Sequence, residues 1–286
     1  MKIVVRIIYL ILVCIMLCSC QGLIDNFEKS TDEKKQEESV MTTSEPIKSS
    51  YLKPLVGTAS ESLDLSGIEI GDSVFFGEYE QDNVKENGKE SIEWIVLDKT
   101  SEYALLLCRY ALDYKPFFEE EEHDYSTTQI WRYSYLSEWL NYTFMEKAFD
   151  DVEENSICDT IVEISPKEDR CHIFVLSVDD LTNTSYNGFD CSPDSIDKKR
   201  LCEPTVYALQ SSIEWDGKQY DKVKENGNDG YYVDYWTRSR GKNNQARNHH
   251  NYRFAYVEDD GTINSDGSLE SEWYFVRPAM FVKILS

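Results

Sequence analysis

The run Trp273-Tyr274-Phe275-Val276-Arg277-Pro278-Ala279-Met280-Phe281-Val282 is too apolar to face water on both sides. A near-continuous apolar run of this length reads as a central strand rather than an edge. The proline inside it has no N–H to give to a ladder, so Pro278 marks a bulge or a point where pairing stops. The run closes a longer stretch, Trp236 to Ile284, in which short apolar segments alternate with turn residues such as Asp260-Gly261. Apolar segments bounded by Asp-Gly read as strands joined by tight turns.

Upstream, Val74 to Gly77, Trp94 to Leu97 and Ala104 to Cys108 predict strands, with a turn at Asn87-Gly88 between the first two. Ser134 to Phe149 predicts a helix. Leu136, Trp139, Leu140, Phe144 and Ala148 form one apolar stripe, Ser134 is the N-cap, and Asn141-Tyr142-Thr143 divides the helix into two pieces. Ile161 to Ile164 and Cys171 to Leu176 predict a hairpin. Ser177 caps a short helix from Val178 to Leu181, and Glu203 to Leu209 forms another with Pro204 in its first turn. Strands, then helices, then strands again predict an α+β fold of mixed, mainly antiparallel sheets with a few short helices.

The N-terminus has a different character. Lys2 and Arg6 precede an uncharged apolar segment, Ile7 to Leu17, which runs into Leu17-Cys18-Ser19-Cys20. A charged start, a short apolar core and a small residue before the cut is the pattern of a secretory signal. The apolar segment is shorter than the roughly 20 residues a spanning helix needs. Leu17 to Cys20 resembles the bacterial lipobox, which implies cleavage before Cys20 and a diacylglyceryl thioether on its sulfur. The expected organisation is a signal peptide over 1–19, a disordered tether over 20–66 and one globular domain over 67–286. The tether is rich in Glu, Lys, Ser and Thr and too poor in apolar residues to offset its ordering entropy. The membrane is thus an expected partner through the N-terminal lipid, with the domain on the extracytoplasmic face of the cell membrane.

Charge narrows the remaining partners. With 53 acidic against 29 basic residues and a net charge of −24, the chain is repelled by nucleic acid and by anionic lipid. No Cys-x-x-Cys and no cysteine–histidine spacing suited to zinc occurs, and Asp259-Asp260-Gly261 fails the calcium-loop pattern, so no metal and no cofactor is expected. An exported domain forms disulfides, and Cys191 with Cys202, flanking a polar loop, is the preferred pair, ahead of Cys158 with Cys171. Arg238 and Arg277, set in apolar runs, are expected to form structural ion pairs. Of the tryptophans, Trp215, between Glu214 and Asp216, is the best candidate for an exposed ring that stacks on a sugar.

Gly71 to Tyr79 followed by Ile92 to Asp98, then Tyr110 to Asp113, Trp131 to Asn141, Pro204 to Ala208, Trp236 to Ser239 and Val276 to Ala279 resemble, in that order, the bacterial family catalogued as domain of unknown function 6273. The resemblance covers about 70 to 284. The chain departs from the family's Trp-Trp-Leu-Arg-Ser-Pro-Gly pattern at Thr237 and Arg240. Arg277-Pro278-Ala279 near the end of a late strand is also similar to the C-type-lectin-like fold of formylglycine-generating enzymes. That fold would present the loop Ser239 to Arg253 as a binding face, with Arg240, Asn243, Arg247, His249, His250 and Arg253 as candidate contacts. The expected function is a surface-displayed lipoprotein whose non-catalytic domain binds a glycan, a cell-wall component or a protein ligand. The alternatives are an extracytoplasmic enzyme with an unrecognised active site and a structural spacer. No catalytic constellation is legible.

Overall fold

The computed structural model describes residues 52–119, 131–163, 168–216, 231–242 and 252–285, all of them within the compact unit Ser50–Ser286. The signal segment, Cys20 and the tether up to Tyr51 lie outside the described residues, as do Asn243, Arg247, His249 and His250. Among the described residues no helix is long and apolar enough to cross a membrane.

The fold is mixed α+β, mostly antiparallel, with short helices. In chain order the strands are β1 (Lys53–Leu55), β2 (Ser73–Tyr79), β3 (Glu90–Lys99), β4 (Tyr103–Cys108), β5 (Tyr110–Ala111), β6 (Asp113–Pro116), β7 (Asp159–Glu163), β8 (Asp169–Cys171), β9 (Ile173–Phe174), β10 (Glu203–Pro204), β11 (Tyr235–Arg240), β12 (Arg253–Val257), β13 (Ile263–Leu269), β14 (Trp273–Val276) and β15 (Ala279–Lys283). One five-stranded sheet runs β2-β3-β4-β15-β9 and the other β13-β12-β11-β14-β6.

The apolar closing run enters both sheets. Its first half is β14, held between β11 and β6, and its second half is β15, held between β4 and β9. Arg277-Pro278 is the crossing point, where regular pairing stops as the proline requires. A second segment makes the same crossing in the opposite direction: β4 pairs with β15 from Ala279↔Leu107 to Lys283↔Tyr103, and β6 pairs with β14 from Trp273↔Pro116 to Val276↔Asp113. Backbone bonds Cys108 N to Pro278 O (2.8 Å) and Leu112 N to Val276 O (3.0 Å) close the gap. The two segments form one ribbon common to both sheets.

Three indoles, those of Trp94, Trp131 and Trp236, are fully buried. Each places its N–H on an acceptor: Trp94 on Phe76 O (2.7 Å), Trp236 on Lys115 O (3.0 Å) and Trp131 on Cys171 Sγ (3.3 Å). Such pairing is what permits so large a ring with a polar edge in a core.

Ser134 caps its helix as expected, accepting from Ser137 N at 3.0 Å, and the apolar stripe is buried. The helix is not divided at Asn141-Tyr142-Thr143; it widens into a π-helical turn over Trp139–Phe144 and continues through Met145–Ala148. The wide turn seats the Asn141 amide against β9: Nδ2 donates to Ser137 O and Ile173 O, and Oδ1 accepts from His172 N and Ile173 N. Ser177 closes a capping box on Val178–Leu181.

Two expectations are corrected. The folded unit begins before residue 67, because β1 pairs with Asp159 to Ile161 and Leu65 is buried. Backbone pairing and one or two buried side chains outweigh the polar average of that segment. The helix expected over Glu203 to Leu209 lies instead over Val206–Asp216. Glu203 and Pro204 form β10, parallel to β5, and Thr205 caps the helix by accepting from Ala208 N at 3.1 Å.

Candidate functional site

The feature best suited to hold a ligand is an aromatic cleft of about 160 Å³ on the sheet that contains β14. Its floor follows from strand alternation. Trp273 and Phe275 share one face of β14, and Tyr114, the register partner of Phe275 on β6, packs against both with ring centroids at 5.8 and 5.0 Å. Tyr231 and Tyr232 contribute to the walls, and Asp234, Asp259 and Glu272 line the cleft with carboxylates. Asp234 is fixed by accepting the backbone N–H of Asp259 at 2.8 Å, which ties the segment before β11 to the turn after β12.

Beside the cleft is an exposed platform. The helix Val206–Asp216 packs on β6 and carries Trp215 near its end. Trp215 is 60% exposed, and its ring lies on Trp273 at 4.0 Å between centroids and 24° between planes. Trp273 therefore backs the platform and lines the cleft at once, so the two are continuous. An indole exposed to this extent forfeits burial free energy that a stacked partner would restore. Trp131, Trp139 and Trp236 are core residues.

The loop foreseen as the binding face is only partly described. Arg240 ends β11 and Arg253 opens β12, where its Nη1 donates to Gly267 O at 2.9 Å. The residues of the aromatic cleft come from β6, β14 and the segments flanking β11 and β12, a convergence that exists only after the strands pair. Trp215 was the one part of the site signalled by sequence.

The cysteines are not sites of chemistry in this arrangement. Cys108, Cys158, Cys171, Cys191 and Cys202 are all free, so the expected Cys191–Cys202 bond is not formed. Cys202 is buried with its Sγ toward Arg109 O at 3.9 Å, whereas Cys191 lies exposed. Burial raises the thiols of Cys158 and Cys202 to about 11 and that of Cys171 to about 12, away from the thiolate form that reacts.

The buried arginines divide. Arg238 meets the expectation of an ion pair: Nη1 lies 2.5 Å from Asp180 Oδ2, with both side chains buried, and also donates to Val175 O. Arg277 does not; its contacts are to neutral oxygens.

Among the described residues, Glu80, Asp82 and Glu90 bring carboxylate oxygens within 4.8 Å of one another. Glu90 and Asp82 serve a local turn, whereas Glu80 Oε1 is buried with no hydrogen-bond partner among the described residues. Glu90 Oε2 accepts from Gln81 N, and Asp82 accepts from Val84 N and the Asn87 amide. Asp260 likewise accepts from Thr262 N and Oγ1 in a tight turn. Gly261 is required there, having φ +86° and no room for a Cβ, which would stand 2.4 Å from Asp197 O.

The model of the family described as Domain of unknown function (DUF6273) matches residues 93–284. No curated protein and no solved structure matches the chain. The matched residues run from β3 to Ile284, just past β15, and include the whole ribbon shared by the two sheets, more than half of the sequence. The chain belongs to the family described as Domain of unknown function (DUF6273).

Proposed function

We propose that this protein is a lipid-anchored, extracytoplasmic binding module whose domain takes a glycan at the Trp215–Trp273 platform and the adjoining cleft. The observation that carries the reading is the exposed Trp215 stacked on the half-buried Trp273, which lines the cleft with Asp234, Asp259 and Glu272. A sugar ring has an apolar C–H face and a rim of hydroxyl donors. The first stacks on an indole, and the second donates to carboxylates and phenolic oxygens. Carboxylates in the cleft also disfavour anionic ligands, which fits the overall charge of −24. Anchoring rests on Leu17 to Cys20 and its likeness to the lipobox. Two acyl chains on Cys20 would satisfy the two-signal requirement for stable membrane attachment.

The test titrates the full chain with a panel of soluble neutral and N-acetylated oligosaccharides, following tryptophan fluorescence. Saturable quenching is expected, and Trp215→Ala should weaken binding by about tenfold, equal to about 1.4 kcal/mol. Binding of a cationic peptide at the platform, with no oligosaccharide bound, would overturn the glycan reading. In cells producing the protein, fatty-acid labelling should disappear in Cys20→Ala; equal labelling of the variant and the parent would overturn the anchor.

A further inference from the structure

A second cleft, next to the first, has the opposite electrostatic character. It has a volume of about 270 Å³ and is lined by Arg109, Lys198, Lys199 and Arg277, with Glu203 as the acidic residue of its wall. Tyr232 lines both clefts.

Arg277 gives this cleft its meaning. It is 2% exposed, and an ionised guanidinium removed from water needs compensation. Among the described residues no carboxylate supplies it. Nε donates to Cys108 O (2.9 Å), and Nη1 to Arg200 O (3.2 Å) and Tyr235 Oη (3.3 Å). Nη2 has no partner among the described residues and is not sealed away as a buried orphan, since the side chain forms part of the cleft wall. A buried cation thus presents an open donor to the cleft.

The surrounding cations converge from separate parts of the chain. Arg109 follows β4. Lys198 and Lys199 belong to the segment before β10, and Arg277 sits at the crossing between the sheets. The Lys199 ammonium is positioned by Asn187 O (2.5 Å) and Gly188 O (3.0 Å). Arg109 and Lys198 are exposed, and their side chains bond to no described residue, so both are available to a ligand. With 53 acidic against 29 basic residues, this concentration of cations runs against the composition, and like charges gathered around one cavity repel one another unless an anion enters.

We propose that this cleft binds a phosphate group. Arg277, the buried and fixed cation, offers a single open nitrogen and so gives no parallel two-point grip of the kind that favours a planar carboxylate. A tetrahedral dianion instead accepts donors arriving from several directions, including lysine ammonium groups acting as point charges. Free phosphate and a phosphate ester share this chemistry.

Arg277 itself is unsuitable for the test, because its replacement would strip donors from Cys108 O and Arg200 O inside the fold. The informative variant is Arg109→Ala/Lys198→Ala. The full chain is titrated calorimetrically, at fixed ionic strength, with inorganic phosphate, glycerol 1-phosphate and acetate. The expected result is one saturable site for the phosphates, weakened at least about tenfold in the double variant, whose melting temperature stays unchanged. Tighter binding of glycerol 1-phosphate would identify an ester as the ligand, and tighter binding of inorganic phosphate the free ion. Absence of a saturable phosphate site, equal affinity in the double variant, or acetate binding as tightly as phosphate would each overturn the proposal.

Discussion

Arg200→Met is expected to destabilise the domain by about 3–5 kcal/mol, the range seen when a buried charge network loses a member. Arg200 is fully buried, and its guanidinium organises a segment with little regular structure of its own. Nε donates to Leu181 O at 3.0 Å. Nη1 reaches Ser195 O (3.2 Å) and Gly261 O (3.4 Å), and Nη2 reaches Asp190 O (2.5 Å) and Ser192 O (3.0 Å). Asp197 provides the negative charge, with Oδ2 3.6 Å from Nε. The guanidinium fork does for residues 181–200 what a ladder does for a strand: it satisfies their carbonyls. Methionine fills similar volume but donates nothing, so these carbonyls lose a common partner. In a domain of this size the melting temperature should fall by about 10 °C, and limited proteolysis should cut within 182–199 before the sheets open. A loss below about 1 kcal/mol in urea unfolding would show that the segment is held by something else.

The second large effect concerns pH. Glu270 follows β13, is 7% exposed, and its Oε2 has no hydrogen-bond partner among the described residues. Burial pushes its carboxyl up from an ordinary value of 4.5 to about 7. A raised carboxyl means the folded state holds its proton where the unfolded chain has released it. The associated stability is fully present below about 4.5 and is lost progressively as pH rises to about 7. Glu163, Asp169 and Asp179 are also raised, in each case chiefly by burial, and act in the same direction. The protein should therefore be more stable near pH 5 than near pH 7.5. Glu270→Gln should flatten most of that slope and stabilise the fold at pH 7.5 by about 1–3 kcal/mol, with little effect at pH 4.5. Melting temperatures of both proteins across that range decide the matter; parallel curves would exclude Glu270 as the source.

What was legible in the sequence was local. Ser134 and Ser177 announce their helices because a cap is a contact between near neighbours. Pro278 announces the break between β14 and β15 because a missing N–H is a property of one residue. Trp215 could be placed at the surface because acids flank it. The rest required partners distant in sequence. β1 escaped notice because its ladder lies on β7. Arg200, in a Lys-Lys-Arg run, reads as a solvated patch, yet the third residue is the buried centre of a loop. Arg277 was expected to meet a carboxylate, and whether a buried arginine faces an acid, a carbonyl or an opening depends on which segments cross beside it. The aromatic cleft is assembled from strand β6, strand β14 and the segments around β11 and β12, so no single window of sequence contains it.

The ribbon shared by the two sheets also constrains how the chain reaches its folded state. β6 pairs with β14, and β4, already paired with β3, takes β15 on its other edge, more than 150 residues further along the chain. Each five-stranded sheet lacks one inner strand until Trp273 to Lys283 is present, and closure of so long a loop carries a large entropic cost before that pairing rewards it. A nascent chain lacking Trp273 to Ile284 holds two incomplete sheets rather than one finished half. The topology thus delays completion of both sheets until β14 and β15 have been made.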